Sequence, residues 1–67
     1  MKFEKVNCET YGIEFRLDYL IWEREDNNKV IITKMRGTSD YVVENLKTGN
    51  IHFLYSLADA KEIGYTL

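Results

Sequence analysis

Along much of the chain, apolar and polar residues alternate at every second position, the period of a strand with one covered face. Ile13, Phe15, Leu17, Tyr19 and Ile21 share one parity, with Glu14, Arg16 and Asp18 on the other. The same stretch also carries a helical stripe (Ile13, Leu17, Leu20, Ile21 and Arg24), but its aromatic and β-branched content favours strand. Leu20 and Trp22 break the alternation by adding apolar groups to the polar parity. That break calls for a bulge near Asp18–Tyr19 or for a sheet covered on both faces at this point. Upstream, Phe3 to Cys8 reads as a short strand with Val6 and Cys8 on one side.

Asp26-Asn27-Asn28 is a turn signal between two strand-like runs. It predicts a hairpin joining Tyr19–Glu25 to Lys29–Arg36, with the register left open. Gly37-Thr38-Ser39-Asp40 makes the next connection. A second hairpin then runs from Tyr41–Leu46 through Lys47-Thr48-Gly49 into Asn50–Tyr55. Gly49 suits the left-handed position after a type I turn, which gives a three-residue loop. That loop pairs Leu46 with Asn50, Glu44 with His52, Val43 with Phe53 and Tyr41 with Tyr55. Tyr41, Val43, Ile51, Phe53 and Tyr55 then form the core face, and Val42, Glu44, His52 and Leu54 the opposite one.

Ser56 opens a helix as its N-cap, with Asp59 placed to complement the first turn. Leu57, Ala60 and Ile63 line one helix face, and Gly64 reads as the residue that ends it. So short a helix must dock on the sheet to be stable. The fold class is therefore α+β: a small antiparallel sheet of about four to six strands, with one short C-terminal helix on one face, in a single domain spanning 1–67. The predicted core is Ile13, Phe15, Leu17, Ile31, Val43, Ile51, Phe53, Leu57 and Ile63.

Length sharpens this picture. The 67 residues form one domain at most, and a chain this short buries a modest share of its surface. Small domains gain stability from disulfides, metals or partner chains. A disulfide within one copy is excluded, because Cys8 is the single cysteine. Cys8 and His52 alone do not make a zinc site, which needs four ligands. Self-association, in the form of a homodimer, is the remaining route. An unpaired cysteine suits a reducing compartment, so the expected location is cytoplasmic. No run approaches the roughly 20 apolar residues of a membrane span, and no signal-peptide core is visible.

The composition is 45% hydrophobic, 13% aromatic and 30% charged, with net charge −2 and both signs interspersed. A chain of this kind folds and has no single-sign field to draw nucleic acid unspecifically. The glycines are isolated, so there is no phosphate loop. Glu23, Glu25 and Asp26 cluster at a hairpin tip without calcium-loop spacing. They read as a solvated turn, or as an acidic contact for a basic partner surface.

Chemistry has few candidates. His52 with Glu44 is the one pair suggestive of acid–base work, since the predicted register sets them side by side; a surface cross-strand pair is the plainer reading. Cys8 reads as a buried strand cysteine rather than a nucleophile. No catalytic, metal or cofactor residues are assigned. Leu20, Trp22, Val42, Leu54 and Tyr65 are instead the candidates for binding a protein partner, because they are apolar beyond what one core face requires. Trp22 is the most informative of them: Trp is enriched at interface hot spots, but a small domain needs large apolar anchors, and the core is the favoured place for it.

From about Lys29 to Tyr65 the chain resembles the small three-strands-then-helix DNA-binding domains of integrase arm type. The likeness rests on the two hairpin strands, the Thr48-Gly49 turn, and Phe53-x-x-Ser56-Leu57-x-Asp59-Ala60 leading into the helix. It implies a sheet face that reads a DNA groove, with Lys29, Lys34, Arg36 and Lys47 as the basic residues, alongside Glu44 and Asp40. In overall style the chain also resembles short accessory proteins of phages and mobile elements. The functional expectation is a non-enzymatic protein-interaction module acting through a sheet face or edge, of phage accessory or inhibitor type; the alternative is a nucleic-acid-binding minidomain.

Overall fold

Five short runs pair in chain order into one antiparallel sheet in the computed structural model, which describes residues 2–6, 19–26, 29–35 and 37–67. The strands are β1 (Phe3–Val6), β2 (Tyr19–Arg24), β3 (Val30–Met35), β4 (Tyr41–Asn45) and β5 (Ile51–Leu54), followed by the helix α1 (Leu57–Thr66). The α+β class and the single C-terminal helix are as the sequence predicts. The predicted core positions Ile13, Phe15 and Leu17, the strand position of Cys8, and Arg36 lie outside the described residues.

The helix covers one face of the sheet. On that face the register lines up Trp22, Ile32, Val43 and His52 across four strands, with Phe3, Arg24, Val30 and Asn45 in the next row. Phe3, Val30, Ile32, Val43 and Ala60 form a buried cluster, packed by Trp22, Tyr41, Leu54, Leu57, Ile63 and Leu67. Ile32, Val30 and Val43 are essentially fully buried, and each such side chain contributes roughly 1.5–3 kcal/mol of transfer free energy. Ile21 and Ile31 point to the opposite face and are buried as well. This accounts for the broken alternation at Leu20 and Trp22: both parities of β2 carry packed apolar groups.

Ser56 caps the helix as predicted, its hydroxyl accepting from Asp59 N at 3.1 Å. The predicted stop at Gly64 does not hold. The helix runs on to Thr66, and Gly64 is buried inside it. Its lack of a side chain serves packing, because the ring of Phe3 lies directly against it. The Arg24 guanidinium also reaches the Gly64 carbonyl, at 2.6 Å. These contacts tie the end of α1 to β1 and β2, and its start follows directly from β5, so the helix crosses the sheet.

The second hairpin departs from its predicted register by one residue. Tyr41 pairs with Leu54, Val42 with Phe53, Val43 with His52 and Glu44 with Ile51. The loop holds Leu46–Gly49, closed by Asn45 N donating to Asn50 O at 2.9 Å and Gly49 N to Asn45 O at 2.8 Å. Gly49 does take the left-handed conformation, at φ 82°. The cause of the slip is Asn45. Its Oδ1 accepts from Lys47 N and Thr48 N (2.9 and 3.1 Å), and its Nδ2 donates to the Leu67 carbonyl at 3.0 Å. Satisfying this buried amide draws Leu46 into the loop, and a one-residue slip turns a whole strand over. Ile51 and Phe53 therefore leave the predicted core and face away from the helix, 48% and 71% exposed, and Tyr55, at the bend after the strand, is 82% exposed.

Candidate functional site: the β4–β5 corner of the open face

The slip creates the most distinctive apolar surface among the described residues. On the face away from the helix, Phe53 lies beside Val42, which lies beside Thr33. Ile51 flanks Glu44 in the neighbouring row, and Tyr55 stands exposed at the bend that follows the strand. Exposed single apolar residues are ordinary, but neighbouring ones on one strand mark an interaction surface. The same face is buried at Ile21 and Ile31, nearer the middle of the sheet, and opens toward β5.

β5 is also an edge strand, and among the described residues no strand pairs with its outer side. Because Asn45 and Asn50 share a ladder hydrogen bond, the antiparallel alternation turns the backbone groups of His52 and Leu54 toward β4. The N–H and C=O groups of Ile51 and Phe53 then point outward. Edges are commonly protected by charge, proline or a bulge. The opposite edge, β1, carries Glu4 and Lys5, both exposed, whereas β5 reads Ile-His-Phe-Leu with no acidic or lysine/arginine side chain.

The sequence candidates do not converge on this corner. Leu20, Trp22 and Leu54 belong to the helix-covered face and are half-buried. Trp22 packs on the core cluster, its ring 6.1 Å from that of Tyr41. Tyr65 leans on Phe3, with ring centroids 5.5 Å apart. Only Val42 lies on the open face, beside Phe53. Ile51, Phe53 and Tyr55 are not among these candidates, because a three-residue loop puts them on the core face. The signal that could have found them was Asn45, whose side chain competes for the turn.

The suggested acid–base pair comes apart for the same reason. His52 lies opposite Val43 on the helix side, and Glu44 lies opposite Ile51 on the other face. Asp26, at the acidic hairpin tip, bonds Arg24 Nε at 2.8 Å and so serves an internal ion pair. Among the described residues, no group of three or more His, Cys, Asp or Glu side chains could hold a metal ion. No helix among them is long and apolar enough to cross a membrane.

The basic candidates are dispersed. Lys34 sits on the helix side with its ammonium 5.7 Å from the centre of the Tyr41 ring. Lys29 and Lys47 are exposed at the turn end of the sheet, where Leu46 N donates to Lys29 O at 2.7 Å. On the open face, Glu4, Glu23 and Glu44 stand in one row with Ile31 and Ile51. Comparison with known proteins finds no matching family model, no matching characterised protein and no matching solved structure.

Proposed function

We propose that this chain is a small protein-interaction module that binds through the β4–β5 corner. The observation that carries the reading is Phe53, 71% exposed on an edge strand without acidic, lysine or arginine side chains, with Ile51 and Val42 beside it and Tyr55 exposed at the following bend. Such a corner offers a partner backbone hydrogen bonds along the edge and apolar contact on the adjoining face, the two components of strand addition. An accessory or inhibitory role, in the style of short phage proteins, would act through this surface. A reducing, cytoplasmic setting belongs to the proposal and rests on the single Cys8.

The nucleic-acid reading draws on the order β3, β4, β5, α1 and on Lys29, Lys34, Arg36 and Lys47. It has less support, because the open face carries a row of glutamates rather than the basic stripe that phosphate contacts require.

A photo-crosslinking amino acid placed at position 53, and separately at the exposed helix position 62, tests the reading in cells that make the protein. A protein adduct formed from position 53 and not from 62 is the expected result. No adduct at 53 overturns it.

A further inference from the structure

We infer that the occupant of this corner is a second copy of the chain, joined by antiparallel pairing of β5 with β5 about a two-fold axis at Phe53. The inference rests on the protein-binding reading above and names its partner. The outward backbone groups of Ile51 and Phe53 set the permitted registers, since only outward-facing residues can form hydrogen-bonded pairs. Placing the axis at Phe53 sets Phe53 against Phe53 of the second copy and brings Ile51 toward the second copy's Tyr55, at the bend that follows the strand. Both pairings are apolar or aromatic, the kind that stabilises neighbouring strands. The register centred on His52 sets two imidazoles against each other and leaves Tyr55 unused, and those centred on Ile51 or Leu54 leave one of the exposed residues Phe53 or Ile51 without its counterpart.

Charge allows the pairing. β5 has no acidic or lysine/arginine side chain, and the carboxylates Glu44 and Asp40, in and just before β4, are one strand further in. The two copies of Glu44 are then three strand spacings apart, at least about 14 Å, beyond the screening length of about 8 Å. Stacking the open faces on each other is less favourable, because it would desolvate Glu44 inside the contact. Strand pairing leaves it in water and joins two sheets into one, with both helices on the same side.

The area sets the strength. At about 200 Å² for an aromatic side chain, Phe53 and Tyr55 at 71% and 82% exposure bring about 300 Å² of open ring per copy. Side-by-side pairing covers part of that, so the total falls short of the roughly 1,000 Å² of a lasting interface. The dimer is therefore reversible and depends on concentration.

Sedimentation of the purified chain from about 1 μM to about 1 mM, a range that brackets weak association, is the test, combined with amide exchange at both ends of the range. The mass is expected to rise from 7.9 kDa toward twice that value. The Ile51 and Phe53 amides should gain protection with concentration, while those of His52 and Leu54 stay the same. Phe53→Lys should hold the mass at the monomer value with an unchanged circular dichroism spectrum. The exchange readout uses the unaltered chain, so a variant that failed to fold would not remove the test. A monomer throughout, or a dimer in which the Ile51 and Phe53 amides gain no protection, overturns the inference. If the chain is monomeric but position 53 crosslinks to a protein of another mass, self-pairing is lost and the interaction reading stands. If it is monomeric and gives no crosslink, both are lost.

Discussion

The ring of Phe3 occupies the space that a β-carbon on Gly64 would need: such an atom would fall 2.5 Å from Phe3 Cζ. Alanine is normally favoured over glycine inside a helix by about 1 kcal/mol. Here the added methyl must push a buried ring that is itself held against Tyr65, and overpacking of this kind costs about 1–3 kcal/mol. Gly64→Ala is therefore expected to lower the melting temperature despite its better helix propensity. In a Phe3→Leu background the same substitution should cost less, because the smaller side chain leaves room. Thermal unfolding of the four proteins of this cycle measures the coupling; costs that simply add would show that the two residues do not constrain each other.

Arg24 fastens the same helix end electrostatically. Its side chain is 4% exposed, donates to the Gly64 carbonyl and pairs with Asp26. A cation at a helix C-terminus meets carbonyls that have no partner within the helix. Arg24→Met keeps most of the apolar stem but leaves the Gly64 carbonyl without this donor, and should cost about 1–3 kcal/mol in a denaturant titration. A loss below about 0.5 kcal/mol, the range of an ordinary surface change, would mean that water replaces the guanidinium freely.

The start of the helix and two core positions were legible in the chain because their signals are local. Ser56 and Asp59 announce a cap, and Ile31 and Val43 are buried as expected, although on opposite faces of the sheet rather than in one core. Two features were hidden because they depend on contacts distant in sequence. Gly64 looks like a stop until Phe3, from the other end of the chain, is seen against it. The loop of the second hairpin looks like a three-residue turn until Asn45 is seen bonding Leu67. The candidate site turns on that second feature, because the three-residue loop puts Ile51 and Phe53 on the core face; Trp22, for which the chain offers both a core and a contact role, packs on the core cluster.

Asn45 can be tested as the origin of the register. Asn45→Ala removes the acceptor of Lys47 N and Thr48 N and the donor to Leu67 O together, and should cost about 1–3 kcal/mol. Asn45→Asp keeps the acceptor for the turn but loses the donor and buries a carboxylate beside a carbonyl. It should destabilise to a similar degree while preserving the turn, read as unchanged nuclear Overhauser contacts between β4 and β5. If Asp were tolerated as well as Asn, the bond to Leu67 would be contributing little.

The register itself predicts opposite outcomes for neighbouring apolar residues. Val43 is fully buried, so Val43→Ala should cost about 2 kcal/mol from lost burial and the cavity left behind. Phe53→Ser, on the open face, should fall within about 0.5 kcal/mol of the parent when melting is followed at low micromolar concentration, where the monomer prevails. A large loss at Phe53 under those conditions would restore the three-residue loop and return Phe53 to the core.

Nucleic-acid binding makes its own measurable demand. The chain has net charge −2, and the ammonium of Lys34 is engaged over the Tyr41 ring, leaving Lys29 and Lys47 at the turn end as the nearest basic pair. Two such charges release few counterions, so any affinity from them would be weak and would change little with salt. Fluorescence anisotropy with labelled single- and double-stranded DNA, at low and then moderate salt, is expected to show no saturable binding. Micromolar binding that weakens steeply with salt, and that Lys29→Glu with Lys47→Glu abolishes, would shift the functional surface from the β5 corner to the turn end. Glu44 argues against that outcome at the open corner itself, because a phosphate backbone laid along Ile51 and Phe53 would meet its carboxylate.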